Sequence, residues 1–323
     1  MLNRLKRLPV RFWAMLLALF GFADFLTWSV LSDVPPSARL YVTLAIVAVA
    51  LVITLIAVLR QPTSDEVISE ARMLFRLARR EYEEKRYREA LALLESSVRL
   101  DKASTAAQGL LGRSRLRLGL FEEAIHPLSM SIETTVVASN RRILRTNRAI
   151  CRTMLGEFGI ALHDIDANLS EEPNLKAARR LRSIIWLCMD RPENALEDIS
   201  IVLNSNPEYL CGYATKAVIE AKLGDIAQAR EAVRKVEELL PEDADDFYCA
   251  ALAYSHIQQT DEALSALEIA IQQDEKYLYQ ALFDPMLSDL RSLPNTAEML
   301  KAKQTEADVR SNEEDDQEEA SIA

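Results

Sequence analysis

Six alanines, Ala90, Ala124, Ala161, Ala195, Ala229 and Ala263, recur along the chain at intervals of 34, 37, 34, 34 and 34 residues. A fixed period of this length requires a small structural unit that is repeated and stacked. One unit cannot bury its apolar face alone and uses its neighbour to do so. Other columns keep the same register. With the alanine at repeat position 20, position 8 holds Ala78, Gly112, Ala149, Ser183, Ala217 and Ala251, all small. Position 24 holds Leu94, Leu128, Ile165, Ile199, Val233 and Leu267, all aliphatic. Small residues let two helices cross closely, and the aliphatic column fills the space between them. Position 15 holds Gly119, Gly156 and Gly224, which suit a tight turn between helices. Position 32 holds Pro173, Pro207 and Pro241, which stop a helix.

These columns resemble the tetratricopeptide-repeat (TPR) family from about Ala71 to Tyr277. The resemblance implies an all-α chain with an α-solenoid of about six helix–turn–helix repeats over 71–277, at 71–104, 105–138, 142–175, 176–209, 210–243 and 244–277. It also implies a concave groove that takes a protein or peptide partner. Three extra residues at Ser139–Arg141 are expected to lengthen one inter-repeat turn. Position 27, often alanine in the family, is Ser97, Ser131, Asn168, Val202, Val236 and Ala270 here. Lys85 stands where a turn glycine is common in the family. Residues 278–302, around Leu282, Asp284, Pro285, Leu287 and Leu290, look like the capping helix that keeps the last apolar face from water.

Ahead of the repeats, 12–31 carries one charge, Asp24, and 40–59 carries none. At about 1.5 Å per helical residue, each stretch is long enough for a hydrocarbon layer of about 30 Å. The link between them contains Pro35-Pro36, so the expectation is a two-span transmembrane hairpin over 12–60, with a basic 1–11 before it and a linker at 61–70. Arg4, Lys6, Arg7 and Arg11 flank the first span and Arg60 the second, which places both termini in the cytoplasm. A cleaved signal peptide fits less well, because the first stretch is long and lacks a small-x-small site. Asp24 is costly within a span. It is either protonated or reached by water, or it contacts a partner's span. Two spans followed by a TPR array are similar in layout to membrane-anchored TPR proteins of bacterial envelopes, so the bilayer of a bacterial inner membrane is the expected location.

The net charge of −11 is unevenly spread. From Glu306 to Glu319 eight acids face one Arg310, and 303–323 is expected to be a disordered acidic tail. Cys151, Cys188, Cys211 and Cys249 form no Cys-x-x-Cys and are expected as free thiols of a reducing cytoplasm. No phosphate-binding glycine loop, nucleophile motif or metal-ligand spacing occurs, so neither enzymatic activity nor a cofactor or metal is expected.

The first helices of repeats two to four are basic. Arg113, Arg115 and Arg117 lie in 106–119, Arg141, Arg142, Arg145, Arg148 and Arg152 in 141–154, and Lys176, Arg179, Arg180 and Arg182 in 176–189, with no Asp or Glu in these windows. Such helices line the concave side of a TPR stack. Arginine grips carboxylates in a bidentate fork, and a basic cleft concentrates anions. The candidate partner-binding residues are Arg113, Arg117, Arg145, Asn147, Arg148, Arg152, Lys176, Arg179 and Arg180, with an acidic peptide or a C-terminal carboxylate as ligand. The alternative is that these arginines pair with acids of neighbouring helices, such as Asp164, Asp166, Glu197 and Asp198. Of the five positions of the carboxylate clamp by which some TPR domains hold chaperone C-termini, only Asn147 matches; Gly109, Arg113, Ala177 and Leu181 do not. The acidic tail could occupy the groove in cis. The function expected is a membrane-anchored adaptor that binds acidic partner segments. The alternative is a subunit or receptor of a membrane assembly or translocation complex. Nucleic acid is disfavoured by the acidic balance and by the lack of an aromatic–basic patch.

Overall fold

The computed structural model describes Pro35, Tyr41, Ala45, Val49, Val52 and residues 64–322, with side chains described to Val309 apart from Asp308. Residues 68–323 form one compact unit. Six helix pairs fill it: α1 (Ser64–Glu83) and α2 (Tyr87–Leu100), α3 (Thr105–Arg117) and α4 (Phe121–Thr134), α5 (Ala138–Met154) and α6 (Phe158–Glu171), α7 (Lys176–Cys188) and α8 (Pro192–Ser205), α9 (Leu210–Lys222) and α10 (Ile226–Leu239), α11 (Ala244–His256) and α12 (Thr260–Gln273). Then come α13 (Lys276–Phe283), a 3-10 turn (Pro285–Leu287), α14 (Ser288–Arg291) and α15 (Pro294–Ile322).

The columns explain the stacking. All six position-20 alanines are fully buried, as are the five side chains of the position-8 column. Gly112, its sixth member, has no room to spare: a Cβ there would lie 2.5 Å from Leu128 Cγ. Position 15 is left-handed in every repeat, at Lys85, Gly119, Gly156, Asp190, Gly224 and Gln258. At each of these turns the next residue's N–H returns to the carbonyl five residues back, as in Arg86 N to Glu81 O (2.9 Å), Leu120 N to Arg115 O (2.9 Å) and Arg191 N to Trp186 O (2.9 Å). This is the Schellman closure, which satisfies orphan carbonyls at a helix end. Position 27 is also explained. Ser97 Oγ donates to Ala71 O (2.8 Å), Ser131 Oγ to Thr105 O (2.9 Å) and Asn168 Nδ2 to Arg142 O (2.9 Å), each tying the second helix to the N-terminal half of the first.

Several expectations need correction. The three extra residues lengthen α5, which has 17 residues, rather than a turn. The segment 61–70 is helical from Ser64, because Asp65 and Glu66 favour a helix N-terminus. The cap is built from α13, the 3-10 turn, α14 and the start of α15, because Pro285 and Pro294 interrupt a single helix. The tail expected as disordered continues α15 to Ile322. Buried Leu300 and Ala307, seven residues apart, hold this helix on the array, and Glu, Gln, Ala and Lys propagate it. Cys211 and Cys249 are joined in a disulfide rather than free, since α9 and α11 bring their Cα atoms to 5.2 Å.

Among the described residues no helix is long and apolar enough to cross a membrane. That overturns the expected location, an integral two-span protein of a bacterial inner membrane with cytoplasmic termini. α1 has 20 residues, but its acids and arginines recur throughout. The stretches 12–31 and 40–59 lie outside the described residues apart from Tyr41, Ala45, Val49 and Val52, and Asp24 lies outside them too.

Candidate interaction groove

The first helices of repeats one to three border an open groove of about 630 Å³. Phe75, Arg79 and Tyr82 share one face of α1 at helical spacing. Gly109, Leu110 and Arg113 come from α3, and Asn140, Ile143 and Leu144 from α5. Gly109 permits the close approach, because a Cβ there would lie 2.8 Å from Ser131 Oγ and 3.2 Å from Leu144 Cδ2. The additional turn of α5 and the linker before it raise one wall. Val136 on that linker is 89 % exposed, and Ile143 on α5 is 53 % exposed. Apolar side chains held this far in water mark a contact surface more often than isolated ones do.

Arg113 is the only member of the sequence-derived set that borders this groove. Its guanidinium stacks over the Tyr82 ring, 4.8 Å from the centroid. Among the described residues it has no carboxylate in ion-pair range.

The other arginines are placed differently. Arg148 grips Asp164 with both Nε (2.9 Å) and Nη2 (2.6 Å) and also donates to Ser129 Oγ (2.8 Å). Arg152 Nη1 adds a third bond to the same carboxylate at 2.8 Å. Asp164 is 2 % exposed. In the next repeat Arg179 and Arg182 converge on Asp198, the latter through two bonds, while Arg182 also holds Asp166 at 2.8 Å. Arg145 holds Glu171 at 2.6 Å, and this bond keeps the Glu171 carboxyl below its ordinary pKa. Arg142 completes that cluster through Glu171 and Glu172. Lys176 Nζ sits 4.1 Å from the Tyr209 ring centroid, and Asn147 is half-buried. Thus Arg145, Arg148, Arg152 and Arg179 staple neighbouring helices together.

Arg117 and Arg180 form a third class. They border a smaller cavity of about 210 Å³, further along the array, with Phe121, Ile150, Met154 and Leu181. Arg117 Nε donates to Tyr82 OH (3.3 Å), and Arg180 bonds Thr215 Oγ1 (3.3 Å) and Cys249 Sγ (3.0 Å). Among the described residues neither has a carboxylate in ion-pair range. The far side of this cavity is closed by Lys276, Gln280, Asp284 and Met286. The segment that crosses the array is therefore 274–286. The acidic side chains beyond Val309 lie outside the described ones.

The aromatic and aliphatic lining was not read from the sequence. Phe75 and Tyr82, seven residues apart on one face of α1, were the available signal. Val136 and Ile143 gain their exposure only from the lengthened α5.

No family model matches the chain. A maize protein described as an HSP-interacting protein is 34 % identical over 149 residues, a match covering 45 % of this chain and 18 % of that relative's length. Among solved structures, a tetratricopeptide repeat protein from Parabacteroides merdae is similar with a TM-score of 0.49 at 18 % identity, covering 73 % of this chain and 97 % of that one. MamA from Desulfovibrio magneticus is similar with a TM-score of 0.47 at 18 % identity, covering 53 % and 94 % respectively.

Proposed function

We propose, on the premise that this chain is a tetratricopeptide-repeat protein, that it is a protein-interaction scaffold whose docking surface is the groove of repeats one to three. The ligand is a peptide segment with an apolar anchor beside a carboxylate. The anchor rests on Phe75, Leu110, Ile143 and Val136, and the carboxylate meets Arg113. The observation that carries this reading is the conjunction of exposed Val136 and Ile143 with the Arg113 guanidinium, which no carboxylate among the described residues reaches in ion-pair range, the groove's own Glu83 being paired with Arg79. Arg145, Arg148, Arg152 and Arg179 act as inter-helix staples and are not part of the docking surface. A chaperone C-terminus is not the ligand of this groove, because Gly109, Arg113, Ala177 and Leu181 occupy the clamp positions.

The test is selection from a random peptide library on the full chain, followed by anisotropy titration of the selected peptides. Arg113→Glu and Ile143→Asp are each expected to weaken binding about tenfold, the equivalent of ~1.4 kcal/mol. Ile160→Asp, at an equally exposed isoleucine on α6 that does not border the groove, is expected to leave it unchanged. Selected peptides that ignore both groove substitutions refute the assignment.

A further inference from the structure

The segment 274–284, Asp-Glu-Lys-Tyr-Leu-Tyr-Gln-Ala-Leu-Phe-Asp, has two working faces. One is the cap of repeat six: Tyr277, Leu278 and Ala281 are buried in the core of the last repeats, and the Tyr277 ring stacks on Tyr248 at 4.7 Å. The other face crosses to the opposite end of the array. Tyr87 OH, at the start of α2, donates to the Asp274 carboxylate at 3.3 Å. Lys85 Nζ donates to Gln273 O at 3.2 Å. Arg88 Nη2 donates to Tyr279 OH at 2.6 Å, and that hydroxyl donates to Glu275 at 2.8 Å. Phe283 meets Phe121 edge to face, with centroids 5.3 Å apart. Gly119 makes room for this approach, since a Cβ there would stand 2.9 Å from Tyr279 Cβ. These partners are up to 191 residues apart in sequence.

The crossing face differs from the capping face in kind. It joins buried polar groups, with Tyr87, Asp274 and Tyr279 at 7, 5 and 9 % exposure, to one aromatic pair in which Phe283 is 48 % exposed. Phe283 is thus the open end of this face, the point at which a competing side chain gains its first contact, whereas the capping face is closed in the core. Behind the crossing face lies the 210 Å³ cavity with Arg117 and Arg180. That cavity is lined by Lys276, Gln280 and Asp284, whereas the residues that meet repeats one and two are an aromatic pair four residues apart, Tyr279 against Gly119 and Phe283 against Phe121, with Glu275 and Asp284 beside them. Helical peptides dock into grooves through anchors at this spacing.

We infer that residues 274–284 are a built-in pseudo-ligand of repeats one and two, and that the site they occupy takes a partner helix carrying two aromatics at i and i+4 with flanking carboxylates. The inference rests on the reading that the concave side of the array is its docking side. It adds a second, masked site, distinct from the open groove at Arg113 and Ile143. A partner gains access by displacing Tyr279 and Phe283 while Tyr277, Leu278 and Ala281 keep the end of the array capped.

The probe is a fluorescein-labelled peptide of residues 272–288, titrated in trans against the full chain. Wild type is expected to bind it weakly. The double variant Tyr279→Ala, Phe283→Ala, which vacates the crossing face, is expected to bind it at least tenfold more tightly. A probe lacking the two aromatics is expected to bind neither. Equal binding of the probe to wild type and variant overturns the inference. The single variant Phe283→Ala gives an independent reading should the double variant misfold: it is expected to bind the probe at least threefold more tightly than wild type, and equal binding overturns the inference. Ile143→Asp separates the two sites. It is expected to leave binding of the 272–288 probe unchanged, so loss of the masked site and loss of the open groove are read apart.

Discussion

Asp164→Ala tests the reassignment of the groove arginines most sharply. Asp164 accepts three charge-assisted bonds from two guanidiniums, at 2.9, 2.6 and 2.8 Å. Its side chain is 2 % exposed, and those of Arg148 and Arg152 are 16 % and 15 % exposed. Removing one partner of a buried ion cluster costs about 3–5 kcal/mol, because the remaining charge is left without compensation. The low end applies here. Arg148 keeps Ser129 Oγ at 2.8 Å, Arg152 keeps the Ile160 carbonyl, and both heads can turn toward water. The expected loss is therefore ~3 kcal/mol. With a urea slope of about 2 kcal/mol/M, this moves the unfolding midpoint of the full chain down by roughly 1.5 M, followed by far-UV circular dichroism. A loss below ~0.5 kcal/mol is what an exposed pair gives. That result would mean that Arg148 and Arg152 stand in solvent, free for a ligand, and the staple account would fail.

Four further outcomes follow from the same structure. Asp190→Gly and Gln258→Gly each relieve a left-handed residue and are expected to stabilise by about 0.5 kcal/mol, the steric relief exceeding the added backbone entropy; thermal melts of the single variants check this. Gly112→Ala drives a methyl against Leu128 and is expected to cost ~1–3 kcal/mol in the same assay. Burial holds the His256 pKa below its ordinary value of 6.5, so the unfolded chain takes up the proton first; stability from this group is present above about pH 6.5 and is lost as pH falls toward the depressed folded value, and His256→Gln is expected to flatten that part of the melting profile. Reduction of the bond between Cys211 and Cys249, 38 residues apart, is expected to lower stability by about 3–4 kcal/mol, measured as a melt with and without dithiothreitol against the Cys211→Ser, Cys249→Ser variant, which should not respond.

The repeats were legible because each column is a local demand made six times. Two helices cross at positions 8 and 20 wherever the array is built, and only small side chains fit. The turn at position 15 was legible in part. Glycine marks it three times, but Lys85, Asp190 and Gln258 adopt the same left-handed geometry because the Schellman bonds and the stack impose it. The serines and asparagine at position 27 looked like departures from the family pattern and are inter-helix ties. The arginines were legible as charge but not as geometry. Asp164 and Asp198 lie 16 residues from Arg148 and Arg182, and sequence alone could not decide between that pairing and a ligand. Nothing periodic announces Tyr279 or Phe283, whose partners sit in the first two repeats. That contact depends on how far the superhelix turns over six units.

The central claim, that the groove of repeats one to three is the docking surface, is tested most directly by site-specific photo-crosslinking. A benzophenone amino acid is placed at Ile143, which is 53 % exposed in the groove, and in a second protein at Ile160, which is 52 % exposed on α6 away from it. Matched exposure removes accessibility as the variable. The account predicts that, in lysate, the Ile143 probe captures defined adducts that Arg113→Glu abolishes, and that the Ile160 probe does not. Adducts of equal yield at both sites, or at Ile160 alone, would contradict it.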